Sequence, residues 1–229
     1  VIVSWIAVFV GALSAPPPGL VSVLGVVLLE AFLWTGLFIT AHDAMHGLVV
    51  PGNRRLNHWI GTTALWVHSG LRFSRMLPAH LEHHRAPGQH DDPDYHEGRG
   101  GALGWALCFM WKYASFSQIA WMALVFNVLH HVVGVSQSTL VVFWIAPMLL
   151  STAQLFFVGT YLPHRLHGPG RDDVHRARSL ELPTLLSFLA CYHFGYHYEH
   201  HASPSTPWWR LPSRRRQLLA ERYSAASRL

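Results

Sequence analysis

The distribution of positive charge constrains this chain more than any other feature. Of its 17 lysines and arginines, none falls in residues 1–41 and none in 119–162; all lie in 42–118 or 163–229. Both base-free stretches are apolar. Charged residues make up only 13% of the chain, where a soluble domain carries roughly a quarter, so the deficit points to lipid. Basic segments flanking membrane helices stay on the cytoplasmic side. The two base-free stretches then read as helical hairpins, with turns near Pro16 and Val135. The expected fold is an all-α integral membrane protein, with four transmembrane helices as two hairpins and a cytoplasmic helical cap. At 229 residues it forms a single domain. The net charge of +5 does not imply nucleic acid, because the basic residues are not spread along a soluble face.

Val1 to Leu13 is apolar but, at about 1.5 Å per residue, short of the ~30 Å hydrocarbon core. It is either the end of a longer helix or does not span. The prolines Pro16 to Pro18 mark a tight turn. Leu20 to Ala41 is long enough to cross and carries one charge, Glu30. Leu56 to Leu71 is dotted with Asn57, His58, Thr62 and His68, which suits an interfacial helix. Gly98 to Gly104 is a flexible glycine-rich segment. Trp105 to Gln118 reads as lying along the interface, and Ile119 to Val133 as a helix. After a turn at Gly134 to Ser138, Thr139 to Leu162 is a second clear span. Arg171 to Glu181 is a charged loop, and Leu182 to Phe194 a re-entrant or interfacial segment. Pro207-Trp208-Trp209-Arg210 resembles an interface anchor, followed by a basic tail at Arg214 to Arg216. Cys108 and Cys191 sit in apolar surroundings and are expected as free thiols.

Against this frame stand three histidine clusters. His42 and His46 form H-x-x-x-H at the end of the first clear span. His80, His83 and His84 form H-x-x-H-H, as do His197, His200 and His201. Residues three or four apart share a helix face, so one turn offers up to three nitrogens. The topology puts all three clusters, and His164 at the end of the second span, on one membrane face. Neutral imidazole binds Zn, Cu, Fe and Ni. One tetrahedral zinc needs three or four ligands, whereas eight or nine suit two metals of higher coordination. The chain has no H-E-x-x-H and lacks the E-x-x-H pairs of soluble di-iron bundles. Asp43, Glu82 and Glu199 lie inside the clusters but point off the ligand face. They are candidates to accept ring N–H bonds, as are Asp91, Asp92 and Asp94, which are alternatively partner contacts. Thr160 lies one turn before His164, and His193 one turn before His197; each is a candidate to orient a ligand or water.

The strings around the clusters carry a resemblance. The three boxes look like those of the membrane fatty acid desaturase and hydroxylase superfamily. More closely, His42-Asp43-Ala44-Met45-His46-Gly47, Arg85-Ala86-Pro87-Gly88 with Asp91-Asp92-Pro93-Asp94, Leu162-Pro163-His164-Arg165, His193-Phe194-Gly195-Tyr196-His197 with Glu199-His200-His201, and Pro207-Trp208-Trp209-Arg210-Leu211-Pro212 resemble the bacterial β-carotene 4-ketolases. The match runs from about Thr35 to Pro212. It implies one desaturase-like domain over 1–229, four membrane helices with a cytoplasmic cap, and a di-iron centre. Ligand roles transfer to His42, His46, His80, His83, His84, His197, His200 and His201, with His164 in the place of an extra ligand. Where relatives hold a water with asparagine, this chain has Thr160. The resemblance further implies dioxygen as co-substrate, electrons from an external donor such as ferredoxin, and a carotenoid substrate. The C4 methylene of a β-ionone ring would become a ketone by two hydroxylations and loss of water. It also implies a place in the bacterial inner (plasma) membrane with the site facing the cytoplasm.

Other readings compete. A carotenoid hydroxylase or a fatty acyl desaturase or hydroxylase would carry the same boxes. A metal transporter or haem-binding membrane protein would place its ligands within the spans near the midplane. Here they cluster at the cytoplasmic ends. His130 and His131 lie near the opposite face and read as interfacial. His58, His68, His90, His96, His167 and His175 read as loop or interfacial residues. Glu30, in mid-span, is a functional candidate by default; Asn127 and Gln154 are expected to bond between helices.

Overall fold

The computed structural model describes residues 1–96, 101–165 and 175–227. The glycine-rich stretch at 98–100, His167 and the charged loop at 171–174 lie outside the described residues. Among the described residues all regular structure is helical. The helices are α1 (Ile2–Ser14), α2 (Leu20–Met45), α3 (Arg54–Ser69), α4 (Phe73–Arg85), α5 (Gly101–Tyr113), α6 (Phe116–Val132), α7 (Gln137–His164), α8 (Thr184–Cys191), α9 (His197–Ala202) and α10 (Leu211–Ala226). α2 and α7 are long and apolar enough to cross a membrane; α1 and α6 are shorter apolar helices. The last turn of α6, Val128–Val132, and two stretches of α7, Val141–Ile145 and Phe156–Tyr161, are π-helical.

The chain reverses where the sequence says it should. After the prolines, Gly19 at φ +76° starts α2. α1 then runs back along α2: Trp5 meets Trp34 edge-on at 4.8 Å, and Ala12 packs with Val27 and Phe143. Gly134 at φ +86° ends α6, and Ser136 accepts from Thr139 N–H (3.1 Å) to start α7. Trp5, Leu33, Trp34, Leu37, Leu140 and Trp144 form one buried cluster that ties α1, α2 and α7 together.

Polar groups inside this bundle are used to join helices. Thr35 on α2 bonds Ser151 (3.0 Å) and Gln154 Oε1 (2.7 Å) on α7, and Gln154 Nε2 donates to Ala190 O at the end of α8. Asn127 differs from expectation: it donates to Ala123 O in its own helix (2.8 Å). Glu30 is fully buried, and neither carboxyl oxygen has a hydrogen-bond partner. α3 is amphipathic, burying Asn57, Gly61, Ala64, Leu65 and His68 and exposing Trp59 and Trp66. His68 is therefore a core residue, contrary to its reading as interfacial. Its place follows from helical spacing along that face.

α8 leads into the third histidine box through a tight loop. Tyr192 and His193 both adopt left-handed φ, at +50° and +62°, a conformation uncommon for residues with a Cβ. Packing holds them there. Tyr192 stacks on Phe32 (4.4 Å) and meets Trp208 edge-on (5.0 Å). A Cβ at Gly36 would lie 2.5 Å from Tyr192 Oη, and one at Gly159 would lie 2.8 Å from the Phe194 ring. Two glycines thus let α2 and α7 close on the loop. Trp208 belongs to this packing, while Trp209 is the half-exposed partner. Gly36→Val is expected to destabilise the protein by about 1–3 kcal/mol through overpacking, measured as thermal unfolding in detergent. Gly11→Ala, where an added Cβ meets nothing within 4 Å, is the matched control and should not lower stability.

Candidate metal centre

Each histidine box sits where an element ends or turns. His42 and His46 lie in the last turn of α2 and at its cap, before Gly47 turns the chain at φ +75°. His80, His83 and His84 occupy the last two turns of α4. His197, His200 and His201 make up half of α9, and His164 is the last residue of α7. The fold brings all nine together as two groups. One holds His42, His46, His80, His84 and His200; the other holds His83, His164, His197 and His201. Within each group the ring nitrogens all lie within 4.8 Å of one another.

The H-x-x-H-H boxes are divided between the groups. In the second box His80 and His84 face one group and His83 the other. In the third box His197 and His201 face the second group and His200 the first. Spacing suggested that one turn presents three nitrogens to one side. The structure instead sends the i and i+4 rings to one point and the i+3 ring to the other. A helix turn of about 100° per residue explains this: i+4 returns to within about 40° of i, whereas i+3 lags by about 60° on the opposite side.

The nitrogens that face one another are all Nε2. His42 and His200 are 3.2 Å apart, His200 and His84 2.9 Å, and His80 and His46 2.7 Å. In the second group His83 and His201 are 3.1 Å apart, His201 and His197 3.0 Å, and His197 and His164 2.9 Å. These cannot all be ordinary hydrogen bonds. A ring nitrogen either carries one hydrogen or offers one lone pair. The run His83–His201–His197–His164 would require one nitrogen to do both. A shared cation removes the conflict, since ligands about 2.1 Å from an ion and at right angles stand about 3 Å apart. The donor set fits two cations.

The outer nitrogens support this assignment. His83 Nδ1 donates to both oxygens of Asp92 (2.9 and 3.0 Å), and His164 Nδ1 donates to Arg176 O (3.2 Å). A proton held at Nδ1 leaves the Nε2 lone pair free for a metal. Asp92 is buried and also accepts Gly88 N–H (2.7 Å) and Asp94 N–H (2.8 Å). Burial pushes its carboxyl up, but the His83 bond and these amides bring it below the ordinary range. Burial likewise pushes His83 down, yet Asp92 and Asp94 leave it above its ordinary value. Burial and the neighbouring imidazoles drive His197, His200 and His201 well below theirs, and His84 to about 3. These four are neutral at pH 7, the form that binds metal.

The remaining candidates take different places. Asp43 Oδ1 stands 3.5 Å from His42 Nδ1, and its Oδ2 accepts Trp208 N–H (3.2 Å). Glu199 reaches no ring: it accepts from Arg215 (2.9 Å) and Ser179, tying α9 to α10. Glu82 is surface-facing and paired with Arg85. Asp94 accepts from Tyr113 O–H, while Asp91 is exposed beside His90. His193 is buried, stacks on Tyr196 at 5.8 Å, and has an unpartnered Nδ1. His130 bonds Val135 O at the α6–α7 turn, away from both groups.

A cavity of about 180 Å³ opens against the centre. His42, His80, His83 and His197 form one wall, with Thr160 beside them, and Phe38, Met76, Phe109, Leu155, Phe156 and Phe194 are among the rest. Among its polar members, Ser69, Tyr113, Gln118 and Thr152 were not singled out from sequence, and His68 was read as a loop or interfacial residue. Only the inward spacing of His68 on α3 could have indicated it.

A helical protein with two span-length helices, nine of whose 18 histidines gather into two groups able to hold metal beside the cavity, is of the membrane, histidine-box type. The chain belongs to the fatty acid desaturase family, whose model matches residues 17–228. It is similar to two β-carotene ketolases from Paracoccus sp. strains. One is 40% identical over 94% of this chain and 89% of the relative, the other 42% identical over 84% and 80%. A zeaxanthin 4-ketolase from Chlamydomonas reinhardtii is 40% identical over 79% of this chain and 41% of its own length.

Removing the Asp92 carboxylate should loosen His83 without touching a ligand. Asp92→Ala is expected to lower metal affinity on the order of 10–100-fold, read as metal retained per protein after dialysis against chelator. Glu82→Ala, on the exposed side of the same helix, should retain metal like the parent.

Proposed function

We propose that the protein is a β-carotene 4-ketolase, a di-iron oxygenase that converts the C4 methylene of a β-ionone ring to a ketone. The observation that carries this reading is its identity of 40% to a protein named β-carotene ketolase over 94% of the chain. The geometry supports it: an apolar cavity ends on the histidine wall, so a hydrocarbon carbon would be held against the metals. Two irons would be held by His42, His46, His80, His84 and His200, and by His83, His164, His197 and His201. Iron so held supplies activation of dioxygen, with electrons from an external donor such as ferredoxin.

The protein residues position and protect the reacting carbon. The aromatic and aliphatic wall excludes water and aligns the ring, which lowers the entropic part of the barrier. Asp92 and the Arg176 carbonyl keep protons on the outer ring nitrogens. Asp43 and Glu199 fix the first and third boxes against Trp208 and Arg215. Thr160 and His193 are assigned as positioning groups, Thr160 for a water or hydroxyl at the cavity wall. Asp91 lies on the surface, where a donor protein could meet it. The allylic C4–H is the favoured point of attack, because the radical it leaves is delocalised into the polyene. Each round consumes O2, two electrons and two protons, and releases one water. The first round leaves an alcohol, and the second a geminal diol that loses water to become the ketone.

For the membrane arrangement we adopt two hairpins, α1–α2 and α6–α7, with the base-rich segments and the histidines on the cytoplasmic side of a bacterial inner membrane. Expression in cells that make β-carotene should yield echinenone and canthaxanthin, and the purified protein should contain about two irons. Product that stops at the 4-alcohol or appears as a new double bond in lipid would assign another oxygenase activity. Well-folded, iron-loaded protein with unchanged pigment would sink the reading.

A further inference from the structure

The carboxylate that steers His83 stands on a loop, and a loop has to be held before it can hold anything else. Asp92 belongs to residues 86–95, between α4 and α5, where no helix runs. The Gly88 and Asp94 amides bond its carboxylate, but both lie in the same loop and cannot fix it against α4. α5 supplies the external hold. Trp105 Nε1 donates to Asp94 O (2.9 Å) and Lys112 Nζ to Pro93 O (2.9 Å). Tyr113, the last residue of α5, donates its hydroxyl to Asp94 Oδ1. The first two grip backbone. Tyr113 grips the side chain of the residue whose amide serves Asp92.

Tyr113 is also part of the cavity wall. Its ring lies 4.9 Å from that of Phe109, which in turn lies 5.7 Å from Phe156 on α7. Burial and the Asp94 carboxyl push the phenol up, so it keeps its hydrogen and acts as a donor. A continuous run of hydrogen bonds then leads from the cavity wall to a ligand ring. Tyr113 O–H donates to Asp94, Asp94 N–H to Asp92 Oδ1 (2.8 Å), and His83 Nδ1 to the same Asp92 oxygen (2.9 Å). Bonds joined in this way polarise one another, and a buried run is sensitive to the loss of any member. The run ends on His83, a member of the group with His164, His197 and His201, and not on the other group. Resting on the two-metal reading, we propose that Tyr113 is a positioning residue: through Asp94 and Asp92 it fixes the His83 ring, and so sets the metal affinity of the His83 group alone.

The test needs no substrate, so it reports on the ligands and not on what fills the cavity. The purified full chain in detergent is titrated with Fe(II) against a coloured chelator, without oxygen. The parent should bind two equivalents. Tyr113→Phe keeps the ring and removes the hydroxyl; it should weaken one equivalent roughly tenfold, at the low end for loss of an outer partner, and leave the other unchanged. Asp94→Ala, which removes the acceptor of the same bond, should give the same one-sited loss. Tyr113→Phe added to Asp92→Ala should cost nothing further, because residues acting through one run are not additive. Parental affinity in Tyr113→Phe overturns the proposal. So does equal weakening of both equivalents, which would mean general loosening of the fold, and so do losses that add in the double variant. A folded parent that binds no iron removes the two-metal reading itself.

Discussion

A buried imidazole resists protonation, and imidazoles that face one another resist it further. That constraint governs the centre of this protein. His197, His200 and His201 are held neutral by burial and by their neighbours, so each offers a lone pair inward. Lone pairs crowded about 3 Å apart repel unless something positive lies between them. The same burial that prepares the ligands therefore makes their close packing unfavourable without cations. Were a metal to bind there, its binding and the assembly of the histidine region would be one equilibrium.

The cap is built to hold that arrangement from outside. Three of the nine rings are steered through the far nitrogen or a flanking residue. Asp92 holds His83, the Arg176 carbonyl holds His164, and Trp208 N–H holds Asp43 beside His42. Arg215 joins Glu199 of the third box to Glu181 (2.6 Å) and lies over the Tyr196 ring at 4.9 Å. α10 thereby acts as a strut behind α9. The left-handed pair Tyr192–His193 turns the chain into α9 while Gly36 and Gly159 make room for it. A short helix that would not be stable alone is fixed by packing and by charge-assisted bonds.

Much of this was legible in sequence. The gaps in Lys and Arg pointed to reversals near Pro16 and Val135, and the spacing of the boxes picked out histidines that the fold gathers into two groups. Asp92 was one of three aspartates put forward, but only folding could show that its loop turns it inward while Asp91 stays exposed. Other features depend on tertiary context. The division of each H-x-x-H-H box between two points requires a partner box approaching from the other side. Trp208 carries the composition of an interface anchor, yet Phe188 stacks on it and Tyr192 meets it edge-on. His68 was passed over because histidine in a mixed-polarity segment reads as surface. The periodicity of α3, with Asn57, Gly61, Ala64 and Leu65 on the same face, outweighs that polarity.

The geometry and the family likeness account for different parts of the protein. The boxes say little about the molecule acted on, because their rings converge on one another while most of the cavity lining comes from other residues. That lining includes Phe38, Met76, Phe109 and Phe156, with His68 and Gln118 among them. Exposed Met110 and Leu149 also line this cavity. A cavity whose outer lining is apolar is suited to receive its occupant from lipid rather than water, and a long polyene dissolved in a bilayer would meet that lining without first being transferred through solvent. The π-helical turn at Phe156–Tyr161 shifts the register of α7 just before His164, so that one helix contributes Phe156, Gly159 and Thr160 to the cavity wall and His164 to the metal site. The cavity wall and the second histidine group thus share one continuous helix.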